Sequence, residues 1–200
     1  MIFNIRGCGG SGKSYVGFKL LQDYGPGTEV RRPAFRSKSN KLVGHILPGD
    51  LVLAGRYRLG TSMRVEGAGY SGGVDGFYPM DELQWLIEDF ANEHKHVFFE
   101  SLLISGTTQR WLDFAKKYPG QVIFGVLTTP PEVCIQRILA RNGGRPIDEH
   151  NLHVFHRAVQ RAGKKLGAAG ERIIWFDTAD AYPRTVDAFL RAGWDPTRGN

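Results

Sequence analysis

Short runs of apolar residues alternate along this chain with longer segments whose apolar positions recur every three or four residues. Ile2 to Arg6, Leu42 to Leu47, Leu51 to Ala54, Val97 to Phe99, Val122 to Leu127 and Ile173 to Phe176 read as strands. Helices are expected over Lys13 to Tyr24, Asp81 to His94, Thr107 to Tyr118, Pro131 to Asn142, Asp148 to Leu166 and Pro183 to Arg191. Leu83, Leu86, Ile87 and Phe90 show the spacing, falling on one helical face behind Pro79. Pro26-Gly27 ends the first helix, and Pro48-Gly49-Asp50 turns between two strands. Strands that are apolar throughout are buried on both faces, so their alternation with helices predicts an α/β fold with a covered parallel sheet. From Tyr57 to Tyr78 neither period holds. Gly60, Gly67, Gly69, Gly72, Gly73 and Gly76 interrupt the stretch, which reads as a long functional loop. No repeat and no linker divides the chain, so residues 1–200 are expected to form one domain.

Hydrophobic residues make up 42% and charged residues 23%, a composition that excludes wholesale disorder. No apolar run approaches the roughly 18–20 residues of a membrane span. The first residues lack a basic stretch followed by a long apolar one, so no secretory signal is expected. Two cysteines, Cys8 and Cys134, make neither a disulfide framework nor a zinc cluster, and the six histidines show no ligand spacing backed by cysteine. A cytoplasmic, reduced protein is the expectation.

Charge sharpens this picture. The formal net charge is +6, and the window Glu29 to Arg64 holds eight basic residues against two acidic ones, so it carries the entire excess. Arg31, Arg32, Arg36, Lys38, Lys41, Arg56, Arg58 and Arg64 thus form a candidate polyanion-facing segment.

Gly7-Cys8-Gly9-Gly10-Ser11-Gly12-Lys13-Ser14 fits G-x-x-x-x-G-K-[ST], with a strand before it and a helix after it. Gly7, Gly9, Gly10 and Gly12 let backbone N–H groups converge on phosphate oxygens, and the helix start adds its positive dipole end. Ser11 belongs to the same cradle, Lys13 is expected to reach the β- and γ-phosphates, and Ser14 to ligate Mg²⁺. Cys8 occupies an unassigned position and reads as a small filler. The cofactors implied are ATP and Mg²⁺, within a three-layer P-loop NTPase fold of about five parallel strands flanked by helices.

Glu100 closes the strand Val97-Phe98-Phe99. Carboxyl ends of parallel strands line the ligand crevice, so this residue is a candidate Mg²⁺ ligand or general base. Asp75, in Gly72-Gly73-Val74-Asp75, is a candidate for orienting the acceptor, and the two roles are exchangeable.

Thr128-Thr129-Pro130-Pro131-Glu132 leads into a helix with Arg137 and Arg141 four apart, then Arg145 among glycines. This arrangement resembles the small P-loop kinases, such as thymidylate, adenylate and gluconate kinases. The resemblance implies that Arg137, Arg141 and Arg145 clamp the transferring phosphoryl group from a lid over residues 137–147. It also implies that adenine lies against the loop Asp177-Thr178-Ala179-Asp180.

Leu53-Ala54-Gly55-Arg56-Tyr57, Gly72-Gly73-Val74-Asp75 and His96-Val97-Phe98-Phe99-Glu100-Ser101-Leu102-Leu103 are similar to a pattern in phage-encoded P-loop kinases. That group includes enzymes that phosphorylate 5-hydroxymethyluracil within phage DNA. The likeness spans roughly residues 1–145, with the stretch Arg58 to Gly69 longer than the pattern. It implies a DNA kinase working in the host cytoplasm, with residues 28–78 as a basic, glycine-rich insert that binds the acceptor. The basic window suits a polymer, since each neutralised backbone phosphate adds affinity. Tyr57, Tyr70, Phe77 and Tyr78 are candidates to stack an extruded base, and the target nucleotide is expected to be flipped out or single-stranded. Two alternatives remain at this stage: a kinase for deoxynucleoside monophosphates or small metabolites, and a nucleotide-binding module without kinase activity.

Overall fold

A computed structural model describes residues 1–33, 40–57, 72–75 and 80–198. The strands are β1 (Ile2–Arg6), β2 (Thr28–Pro33), β3 (Asn40–Leu47), β4 (Leu51–Ala54), β5 (His96–Glu100), β6 (Val122–Leu127) and β7 (Arg172–Phe176). The helices are α1 (Lys13–Tyr24), α2 (Met80–Glu93), α3 (Leu102–Ser105), α4 (Gln109–Lys117), α5 (Pro131–Arg141), α6 (Glu149–Ala168) and α7 (Thr178–Arg191). One sheet runs in the order β2-β3-β4-β5-β1-β6-β7.

Five strands, β4 through β7 in that spatial order, are mutually parallel, as the continuous apolar runs require. The sheet nevertheless has seven strands, not about five. β3 pairs antiparallel with β4, and β2 pairs antiparallel with β3, extending one edge. The segment 28–57 is therefore no appendage: its three strands are hydrogen-bonded into the sheet. Two apolar layers flank it. Phe90, Phe99, Trp111 and Phe114 pack on one face, while Phe3, Phe18, Phe98 and Phe189 pack on the other.

Central β1 is buried at all five positions, two of them polar. Asn4 donates to the Phe99 carbonyl, and Arg6 donates from Nε to Asn4 Oδ1 at 2.7 Å and from Nη1 to the Thr107 carbonyl at 2.6 Å. The Arg6 guanidinium also stands 4.8 Å from the Phe124 ring centroid. Burial pulls its pKa down to about 9. Arg6 thus fastens the turn before α4 to the strand that enters the glycine loop.

The structure revises several expectations. Arg31 pairs with Glu29 at 2.7 Å, and Arg32 pairs with Asp89 and Glu93 of α2 at 2.6 and 2.7 Å while stacking on Phe90. Arg32 ties the edge strand to α2, whereas the Arg31 pair stays within β2, and both arginines keep part of their surface exposed. Tyr57 is fully buried, edge-on to Phe18 with ring centroids 5.3 Å apart. It is core and has no face to offer a base. Asp177-Thr178-Ala179-Asp180 is not a loop but the start of α7: the Asp177 carboxylate accepts from the backbone N–H groups of Ala179 and Asp180. Arg36, Lys38, Arg58, Arg64, Tyr70, Phe77 and Tyr78 lie outside the described residues. Among the described residues, no helix is long and apolar enough to cross a membrane.

Candidate active site

β1 delivers the chain into the glycine loop at the carboxyl edge of the sheet, and α1 leaves from it. Gly10 and Gly12 have φ of 76° and 101°, values that glycine tolerates and other residues resist. Space forbids a side chain as well: a Cβ at Gly10 would meet the Cys134 backbone, and one at Gly12 the Thr178 side chain. No side chain caps the first turn of α1, so its leading N–H groups stay available to an anion. Lys13 Nζ donates to the carbonyls of Gly7 and Cys8 at 2.9 and 3.0 Å, folded back over the loop.

β5 ends in Glu100, 1% exposed, whose Oε1 accepts from the Ser14 hydroxyl at 2.7 Å. Burial pushes its carboxyl up to about 7, with the Lys13 charge and the Ser14 hydrogen bond opposing the shift. A carboxyl poised there exchanges a proton near neutrality, as acid–base chemistry requires. Ser14 and Glu100 also offer two hard oxygens side by side next to the phosphate cradle. That donor set fits Mg²⁺, which takes one or two protein oxygens and completes its shell with water and phosphate.

The strap 72–75 lies against this carboxylate. Gly73, at φ 80°, leaves room that a Cβ would take from Glu100, and Val74 N–H donates to the Glu100 carbonyl at 3.0 Å. Arg56 N–H holds the other side of the strap through the Gly73 carbonyl at 3.0 Å. Asp75 then turns its carboxylate to the start of α3. It accepts from the Ser101 hydroxyl and from the backbone N–H groups of Leu102 and Leu103, the last two at 2.9 and 3.2 Å. Both of its oxygens are engaged in capping.

A cavity of about 670 Å³ joins these pieces, with Gly9, Gly10, Ser11, Gly12, Lys13 and Ser14 along its floor. Asp75, Glu100, Arg137 and Arg141 meet in its walls. Arg137 Nη1 donates to the Gly10 carbonyl at 3.3 Å and to the Thr178 hydroxyl at 3.0 Å. Arg145 stands apart, exposed in the turn after α5, where its carbonyl accepts from Asn142 at 2.9 Å. Lys41 is exposed on β3 and Arg56 half-buried beyond β4; neither lines the cavity.

Thr129, Thr178 and Cys8, read from the sequence as part of a turn, part of an adenine loop and a filler, hold the glycine loop in place. Thr178 and Thr129 both donate to the Ser11 carbonyl at 3.0 Å, pinning the loop to the ends of β6 and β7. The rule that strand ends line the crevice applies to them as it does to Glu100. The Cys8 sulfur lies 3.4 Å from that of Cys134 on α5, so the filler position is a packing contact between loop and helix.

No protein-family model matches the chain. It is 31% identical over 191 residues to the 5-hmdU DNA kinase of Pseudomonas phage PaMx11, covering 90% of this chain and 93% of that protein. It is 28% identical over 186 residues to the 5-hmdU DNA kinase of Pseudomonas phage M6, covering 88% and 91%. Among solved structures, a deoxyadenosine kinase from M. mycoides with bound dATP aligns over 96% of this chain and 100% of its own, at 13% identity and a TM-score of 0.42.

Proposed function

The chain belongs to the family of phage 5-hmdU DNA kinases, and from that premise we propose that it transfers the γ-phosphoryl group of ATP to the hydroxymethyl oxygen of 5-hydroxymethyluracil in DNA. The acceptor oxygen bonds to the γ-phosphorus, the bond to the β,γ-bridging oxygen breaks, and ADP leaves. The hydroxyl proton passes to a base.

Residues 1–200 act as one kinase unit in this reading, with the acceptor side built from the 28–78 segment and the lid from 137–147. The backbone N–H groups of the loop and of the first turn of α1 take the β- and γ-phosphate oxygens. Lys13 exchanges its two carbonyl contacts for those phosphates. Ser14 and Glu100 are the residues that would hold Mg²⁺, which when bound neutralises charge on the transferring group. In its alternative role Glu100 accepts the hydroxyl proton, burial having raised its carboxyl to about 7. Arg137 and Arg141 face the same cavity and balance the equatorial charge that develops on the phosphoryl group. Asp75 acts indirectly, holding α3 and the 72–75 strap where the acceptor must enter. On the acceptor side, Lys41 is an exposed member of the basic window on β3 that would meet DNA.

The 2.7 Å contact between Ser14 and Glu100 carries this reading, because it sets a tunable carboxylate directly beside the phosphate cradle. The test is an acceptor panel. ATP labelled at the γ-position is offered separately to DNA containing 5-hydroxymethyluracil, to unmodified DNA and to the free modified nucleotide. Label in the first alone supports the proposal. Equal or better labelling of the free nucleotide contradicts it.

A further inference from the structure

Among the described residues, a second group of open cations lies away from the window near β2. Residues 137–165 hold seven basic side chains and two acidic ones. The whole-chain arithmetic conceals them, because the five carboxylates of α2 and others elsewhere offset the sum. Arg31, Arg32, Arg110, Lys117 and Arg191 each hold a carboxylate. By contrast, Arg141, Arg145, Arg157, Arg161 and Lys164 form no ion pair among the described residues.

Helical geometry gathers these charges. His150, Arg157, Arg161 and Lys164 recur at spacings of seven, four and three, which places them on one face of α6, and all four are exposed. Val159, Ala162, Gly163 and Leu166 form the opposite, buried face. The carboxylates nearby do not cancel the stripe. Asp148 accepts from the Asn151 N–H and its side-chain amide as the helix cap, and Glu149 sits in the first turn. From Arg157 to Lys164 the cations of the stripe span about 10 Å by the α-helical rise, the length of about three base pairs. It also reaches the cavity: Arg137 and Arg141 line it, Arg145 lies in the turn that follows, and α6 begins just beyond.

We propose that this face of α6 is the track for the sugar–phosphate backbone of the acceptor DNA, leading it across the lid into the cavity. The assignment rests on the reading of the chain as a DNA kinase. A row of exposed cations without carboxylate partners suits a polyanion whose charges repeat along a line, and it suits a single small nucleotide poorly.

The test uses the full chain and the triple variant Arg157→Gln, Arg161→Gln, Lys164→Gln, with two readouts. Fluorescence anisotropy measures binding to a labelled 20-base-pair duplex over a range of salt. Phosphorylation of 5-hydroxymethyluracil-containing duplex gives KM for DNA and for ATP. The track predicts DNA affinity lower by about tenfold or more, a log–log salt slope shallower by roughly 2.7, and an unchanged KM for ATP. The single variant Arg161→Gln, the milder perturbation, should shallow the slope by about 0.9. Unchanged affinity and slope in both variants overturn the track, whatever the acceptor. Tight, salt-dependent binding by the parent chain without phosphorylation of the modified duplex leaves the track standing and overturns the proposed reaction instead.

Discussion

Ser14 Oγ and Glu100 Oε1 lie 2.7 Å apart, joining the first turn of α1 to the last residue of β5. Their contact puts a fully buried carboxyl at the rim of the phosphate cradle, and burial raises that carboxyl from its ordinary 4.5 to about 7. Two pH effects follow with opposite signs. Activity that needs the ionised form rises as pH climbs through about 7. Stability moves the other way: a raised pKa means the folded state holds its proton more tightly, so the contribution is complete below 4.5 and is lost as pH rises through about 7. Glu100→Gln should lower kcat by about 10²–10⁴ and flatten the dependence of Tm on pH across that window. A variant that retains kcat within a few-fold would remove Glu100 from the chemistry.

Asp75 separates positioning from catalysis by a choice of replacement. Asparagine keeps one acceptor oxygen where Asp75 uses two, whereas alanine keeps none. Asp75→Asn should therefore lose part of the Tm and activity that Asp75→Ala loses, with KM for DNA rising in the same order. If both variants are equally inactive in single-turnover assays, the carboxylate touches the reacting groups directly.

Tyr57 is a core residue whose hydroxyl has no hydrogen-bond partner among the described residues. Tyr57→Phe should leave phosphorylation of DNA unchanged and Tm unchanged or raised, because it removes a buried polar group that gains nothing. Tyr57→Ala should cost about 3–5 kcal/mol in denaturant unfolding by emptying the site beside Phe18. A loss of DNA affinity in Tyr57→Phe with stability intact would restore a binding role.

Gly10 combines positive φ with a backbone neighbour, the Cys134 carbonyl, that has no rotamer through which to retreat. Gly10→Ala should weaken ATP binding by an order of magnitude or more and lower Tm, since both the loop and its seat on α5 must shift. Calorimetric titration with ATP and magnesium reads the first effect and thermal melting the second.

Much of the phosphate half of the site is legible in the residue pattern, because its determinants are local. The loop Gly7 to Ser14 must be glycine-rich where backbone meets phosphate, and α1 spans Lys13–Tyr24 as its periodicity indicates. Glu100 is visible as the polar end of an apolar run. The edge of the sheet is not. β2 is Thr-Glu-Val-Arg-Arg-Pro, with a register shift between Val30 and Arg31, and nothing in that polar string announces a strand. The fates of Arg32 and Tyr57 depend on partners 57 residues away on α2 and about 40 residues away on α1, which no local period encodes. α7 starts five residues earlier than Pro183 suggests, because the Asp177 cap, not the proline, opens the helix.

The reaction proposed for this loop and this carboxylate places a phosphoryl group on a base still inside DNA. The direct measurement is mass spectrometry of nucleosides released from 5-hydroxymethyluracil-containing DNA after incubation with ATP and the protein, beside a Lys13→Ala control. A modified nucleoside heavier by one phosphoryl group is expected, abundant with the parent chain and nearly absent with the control. Unaltered nucleosides alongside released inorganic phosphate would contradict it.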